Sequence, residues 1–158
     1  MSVKLSDLLV EDGINVSLEA KDKTGVITEL VGLLTGTTSE EVGCNEDLVA
    51  ATVSREELMS TGIGQGVAIP HAKSDKVDRL HAVFGRSAAG IDFDSLDQKP
   101  VHLFFLLIAP TDQSGPHVKA LARISRLLKH AYFRQALLDA TKASDVLTII
   151  REEELKNS

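Results

Sequence analysis

Val101-His102-Leu103-Phe104-Phe105-Leu106-Leu107-Ile108-Ala109, set between Pro100 and Pro110, is the stretch that decides the fold. Leu103 to Ala109 is the longest apolar run in the chain. It falls far short of the roughly 20 residues that span a bilayer. A short run without polar alternation, bounded by proline on both sides, predicts a central strand covered on both faces. Such a strand needs helices above and below it, and the flanking sequence offers them. Upstream, Asp22 can cap a helix in which Val26, Leu30, Leu33 and Leu34 follow at helical spacing and Gly36 offers a stop. Asn45 can cap a second helix containing Leu48, Val49 and Thr52, while Ser54-Arg55-Glu56-Glu57 matches a capping box that could start a separate short helix. Downstream, Ser114-Gly115-Pro116 opens a helix with proline at a plausible first position, and Val118, Leu121, Ala122, Ser125 and Leu128 form its buried stripe. Phe133 to Ala140 and Asp145 to Glu152 read as two more helices, the last capped by Ser144.

Further strands surround the central one. Ile14-Asn15-Val16-Ser17-Leu18 alternates as a half-buried strand does, and His81 to Arg86 reads as another. Val67-Ala68-Ile69 is a short strand ended by Pro70, preceded by the breaker cluster Gly62-Ile63-Gly64-Gln65-Gly66. Strands interleaved with helices predict an α/β domain with helices on both faces of a sheet. With no linker, repeat or low-complexity segment in view, residues 1–158 read as one domain, with a polar tail from about Arg151 that is expected to fray.

Composition narrows the function. The chain has 158 residues, 17 basic and 23 acidic, for a formal charge of −6. A domain of this size buries roughly 70% of its unfolded surface and needs no covalent staples. The acidic balance argues against duplex nucleic acid as the main partner and favours a basic polypeptide. Five Phe, one Tyr and no Trp offer no stacking platform for single strands. The lone Cys44 excludes a disulfide framework and a multi-cysteine zinc site, and reads as a small packed or partly exposed side chain. The N-terminus lacks the apolar stretch of a targeting signal, so a cytoplasmic protein without membrane insertion is expected.

The candidate chemistry lies in histidines and one arginine. His71, His81, His102, His117 and His130 form neither an H-x₃-H pair nor an HExxH motif, so no protein metal site is expected. The glycine cluster lacks the ending of a mononucleotide loop; it either permits crowded backbone or lets a partner approach closely. His71 follows Pro70, whose ring fixes φ and leaves few placements for the next side chain. It is either a nucleophile presented to another macromolecule or a surface histidine ending a strand. His117 falls in the first turn of the helix after Pro116, where free N–H groups favour an anion; the alternative is a histidine at the core edge. Arg55 could clamp an anion with its planar fork or be a solvated helix-face charge. His81, His102 and His130 read as structural.

The stretch Ser54-Arg55-Glu56-Glu57-Leu58-Met59-Ser60-Thr61-Gly62-Ile63-Gly64-Gln65-Gly66-Val67-Ala68-Ile69-Pro70-His71-Ala72-Lys73 resembles the enzyme IIA domains of the fructose/mannitol class of the bacterial phosphoenolpyruvate-dependent phosphotransferase system, and among them the nitrogen-regulatory branch. His117 to Leu128 and Phe133 to Ala140 are further matching blocks in the same order. The resemblance covers nearly the whole chain. It implies a mixed β-sheet packed between helices, with His71 the phosphorylated histidine and Arg55 and His117 holding the phosphoryl oxygens. It implies an HPr-like phosphocarrier as donor, a downstream regulatory target or a IIB domain as the next partner, and no cofactor or metal. Three functions follow as alternatives: a phosphorylation-state regulator, a transport component passing phosphate to a IIB cysteine and so to a sugar, or a binding module that keeps the fold without phosphorylation. Ala72 departs from the glycine that many members carry after the active histidine.

Overall fold

The structure is a computed structural model and describes residues 4–36 and 45–156. The elements run α1 (Leu5–Leu8), a 3-10 turn (Glu11–Gly13), β1 (Ile14–Asn15), α2 (Lys23–Gly36), α3 (Asn45–Leu58), β2 (Gly62–Gly64), β3 (Val67–Ala68), β4 (His71–Lys73), β5 (His81–Ile91), β6 (Val101–Ala109), α4 (Ser114–Leu127), α5 (Ala131–Asp139) and α6 (Ala143–Lys156). The strands form one mixed sheet in the order β1-β5-β6-β3-β2, with β4 also paired to β6. β6 runs antiparallel to β5 and parallel to β3 and β4.

β6 occupies the predicted Val101–Ala109 and is the centre of the sheet. Its side chains alternate between two cores. Leu103, Phe105, Leu107 and Ala109 pack with α1, α4, α5 and α6, through Leu5, Ile124, Phe133, Leu137 and Ile150. Phe104, Leu106 and Ile108 face α2 and α3, through Ile27, Leu30, Leu34 and Leu48. Helices therefore cover both faces, which is why the run carries no polar alternation.

Several boundaries differ from the sequence reading, each for an identifiable reason. β1 stops at Asn15, whose Oδ1 accepts from Ser17 N at 2.8 Å and turns the chain out of the strand. β5 runs on to Ile91 through a register shift after Arg86, with Gly90 at φ +86° fitting against His102 and Pro100. The capping-box residues start no new helix: α3 runs unbroken to Leu58, because Leu48, Thr52 and Glu56 continue one buried stripe at four-residue spacing. The glycine cluster holds β2 and a turn at Gln65-Gly66 that pairs β2 with β3. Asp22 does cap α2, its Oδ1 accepting from Gly25 N at 2.7 Å.

Pro116 is the third helical residue of α4, where its missing N–H is still one of the four unpaired amides, and the buried face runs through His117, Ala120, Ile124 and Leu127, so that of the expected stripe Leu128 is buried while Val118 and Ala122 are exposed. Ser144 lies inside α6; Asp145 instead reaches back to accept from the Thr141 N–H and hydroxyl. The tail from Arg151 does not fray as expected. α6 continues through Lys156, and Glu154, 4% exposed, accepts from Leu5 N at 2.7 Å and Ser6 N at 2.8 Å. The packing of Cys44 and the capping role of the Asn45 side chain lie outside the described residues.

Candidate phosphoryl-transfer site

β3 and β4 pair with β6 in the same register, Val67 opposite Leu103 and His71 opposite Leu107. They are one strand path interrupted at Ile69-Pro70, because proline has no N–H to give the ladder. His71 therefore resumes a strand, rather than ending one as its position after Pro70 suggested. The interruption is firmly tied: Ile69 N donates to Thr61 O at 3.0 Å, and Leu107 N donates to Pro70 O at 3.1 Å.

The Ile69 carbonyl is then turned to the imidazole. His71 Nδ1 lies 2.8 Å from Ile69 O. A carbonyl can only accept, so Nδ1 carries the ring proton and Nε2 keeps its lone pair. This supplies the acceptor that an oriented imidazole nucleophile needs, and it comes from the backbone two residues upstream. Burial pushes the His71 pKa below 6.5, the Ile69 hydrogen bond opposes that, Arg55 adds to the lowering and Glu56 offsets part of it.

His117 comes from the first turn of α4. Parallel pairing of β4 with β6 brings their C-terminal ends together, Lys73 opposite Ala109, and α4 begins at Ser114 just beyond. The His71 and His117 rings meet edge to face, centroids 5.2 Å apart and planes at 80°. His117 is 4% exposed and its Nε2 is buried with no hydrogen-bond partner among the described residues. Burial first, then the neighbouring His71 and Lys73, lower its pKa from 6.5 to about 4. At neutral pH it is thus a neutral imidazole, a state that the positive end of the helix dipole also favours.

Arg55, in the last turn of α3, is half-buried, and its charge is felt at His71. Its Nη1 donates to Met59 O at 2.9 Å, which ties the guanidinium to the end of its own helix. The structure thus brings the His71 and His117 rings into contact and leaves Arg55, hydrogen-bonded to Met59 O, near enough for its charge to act on His71. His81, His102 and His130 stay apart, His102 turning Nδ1 to Ser87 O at 2.8 Å.

Two further residues belong to the neighbourhood. Lys73 Nζ donates to Ser114 Oγ at 2.7 Å, and its charge acts on His117. As residue i+2 on a strand it shares the face of His71, a signal present in the sequence. Glu56, 5% exposed, has no such signal, since a charged residue beside Arg55 on a helix reads as solvated. Among the described residues no group of His, Cys, Asp and Glu is arranged to hold a metal ion, and no helix is long and apolar enough to cross a membrane.

A mixed sheet between two helical layers carries an imidazole tethered to a backbone carbonyl beside a buried histidine, an arginine and a lysine, an arrangement chemically suited to an anionic group. The comparisons with known proteins agree. Residues 7–153 match the family described as "Phosphoenolpyruvate-dependent sugar phosphotransferase system, EIIA 2", and the chain belongs to that family. It is 37% identical over 155 residues to the PTS system fructose-specific EIIABC component of Bacillus subtilis, covering 96% of this chain and 24% of that protein. It is 35% identical over 147 residues to the nitrogen regulatory protein of Bradyrhizobium diazoefficiens, covering 92% of this chain and 94% of that one. The crystal structure of nitrogen regulatory protein IIA-Ntr from Neisseria meningitidis superimposes with a TM-score of 0.84 at 30% identity, covering 92% of this chain and 98% of that one. The chain therefore spans about a quarter of one relative and nearly the whole of the others.

Proposed function

We propose that the protein is a regulatory phosphoryl carrier: His71 accepts phosphate from a phosphohistidine on a small HPr-like protein, and its phosphorylation state decides which downstream protein it binds. The observation that carries this reading is the His71 ring itself, held by Nδ1–H on the Ile69 carbonyl with Nε2 left as the nucleophile beside His117. The Nε2 lone pair forms the new N–P bond in line as the donor's N–P bond breaks, and that electron pair returns to the donor imidazole. The transition state of such a transfer is loose, so positioning and charge stabilisation dominate. Bonding at Nε2 leaves the His71 ring formally cationic, and the Ile69 carbonyl steadies it through Nδ1–H. Arg55, Lys73 and a proton-bearing Nε2 of His117 are the groups nearby for the phosphoryl oxygens.

The test is incubation with phosphoenolpyruvate, enzyme I and HPr. The expected label is a phosphoramidate, lost in acid and kept in base, and absent from a folded His71→Ala protein. Full labelling of that variant would remove His71 from the role. A folded wild-type chain that takes no label would leave a binding module of the same fold. The fructose-specific relative favours a second reading, in which the phosphate is cargo for a IIB cysteine. Rapid passage of the label to a IIB cysteine, with no change in binding of any captured regulatory target, would move the conclusion there.

A further inference from the structure

We propose that Glu56 is a positioning residue for the His71 imidazole, acting through Thr61 and the Ile69 peptide; this rests on His71 being the phosphoryl acceptor. Four side chains and two peptides form a continuous path. Lys23 Nζ lies 3.2 Å from Glu56 Oε2. The same oxygen accepts from Thr61 N at 2.7 Å, and Oε1 accepts from the Thr61 hydroxyl. Thr61 O accepts from Ile69 N at 3.0 Å, and Ile69 O accepts from His71 Nδ1 at 2.8 Å.

Each oxygen of the carboxylate thus accepts from Thr61, with Lys23 beside Oε2, and together they fix Thr61 where β2 begins. The Thr61 carbonyl holds one side of Ile69, and Leu107 holds the far side of Pro70. Ile69 N and Pro70 O are thus held on either side of the Ile69 carbonyl, which meets His71 Nδ1. The carbonyl in turn sets which ring nitrogen bears the proton. Glu56 continues the buried stripe of Leu48 and Thr52, where an apolar side chain would pack without the cost of burying a charge. A carboxylate at this position holds something that an apolar residue cannot. Hydrogen-bonded partners behind an active imidazole commonly fix its tautomer and ring orientation.

Long-range ¹H–¹⁵N correlation spectra of uniformly labelled full-length protein read the His71 tautomer directly, without phosphorylation. Wild type is expected to show a single Nδ1–H form. Glu56→Gln keeps the shape but loses one acceptor and the charge. It is expected to shift the His71 ring nitrogens toward a tautomer mixture while amide spectra stay folded. The maximal rate of phosphoryl uptake should fall roughly tenfold, with the carrier concentration for half-maximal rate within about twofold of wild type. Thr61→Val removes only the hydroxyl link and should move the ring nitrogens in the same direction by less. Unchanged His71 ring nitrogens in folded Glu56→Gln would overturn the proposal; if that variant does not fold, unchanged nitrogens in Thr61→Val would do so. A wild-type protein that takes no phosphate would defeat the carrier reading, while the tautomer measurement would still decide whether Glu56 orients His71.

Discussion

A histidine 4% exposed beside a second imidazole is a poor cation, and His117 is such a residue. Its folded pKa of about 4 lies below the ordinary 6.5, so the unfolded chain binds its proton first as pH falls. Stability that is complete above pH 6.5 is therefore lost progressively down to about pH 4, by at most about 3 kcal/mol. Urea unfolding of wild type and His117→Gln between pH 7.5 and 4.5 should show a shallower pH slope for the variant; equal slopes would contradict this origin. His71 follows the same sign, since its pKa is also lowered. Its nucleophilic form consequently persists below pH 6.5, and the rate of phosphoryl uptake should fall only on the acid side of that value. From residue type and setting alone, Arg55, His71 and His117 each kept an ordinary structural reading, and it was the resemblance of the blocks around them that singled them out. Their protonation states were not legible, because burial sets these and burial is not a property of a residue alone.

At the scale of elements, local patterns found the long helices and the central strands but not the short α1, β2 and β4, which tertiary pairing and packing define. Arg86, from β5, donates to Val16 O at 3.1 Å and to Leu137 and Leu138 carbonyls at 3.0 Å, so one side chain closes both an edge strand and the end of α5. Glu154 joins the two ends of the chain, accepting from the first amides of α1 and pairing with Arg123 Nη1 at 3.5 Å. A polar sequence such as Arg151-Glu152-Glu153-Glu154 reads as a fraying tail until something buries it. Glu154→Ala leaves one buried amide, one partly buried amide and a guanidinium short of a partner, and should cost about 3 kcal/mol. Hydrogen exchange at Leu5 and Ser6 should speed in proportion, while exchange along β6 follows only the global loss. Gly85 is tighter still: an added Cβ would lie 2.7 Å from Leu18 Cδ1 and 2.8 Å from Leu30 Cδ2. Gly85→Ala should cost about 1–3 kcal/mol by overpacking where α2 crosses β5, read as a lowered denaturation midpoint at unchanged m-value.

For the molecule as a whole, phosphorylation is expected to act as a local electrostatic switch. A phosphoryl group adds between one and two negative charges near neutral pH to a chain that already carries −6. Arg55 and Lys73 stand beside the site to absorb part of that charge. The strand bearing His71 is hydrogen-bonded to β6 at the centre of a close-packed sheet, which resists rearrangement. Amide shift changes on phosphorylation should therefore cluster around residues 54–74 and the start of α4 and leave α5 and α6 in place. A partner docking over unmodified His71 should lose about 1–3 kcal/mol of affinity, less at high salt. Equal affinities in both states, measured by calorimetry at two salt concentrations, would reject the switch.

The central strand, the long helices that cover it and a short list of candidate side chains could be read from local sequence. Apolar period, proline boundaries and capping residues are local, and they act over a few neighbours. What surrounds His71 depends on how distant segments pack. Lys73, Ser114 and His117 meet beside His71 because β4 lies parallel to β6 in a register that sets Lys73 opposite Ala109, and α4 leaves from that same end. Register is chosen by the summed burial of two cores on opposite faces of the sheet, a quantity spread over the whole chain. The same burial made His117 neutral, drew Glu56 inward and bound α6 to α1.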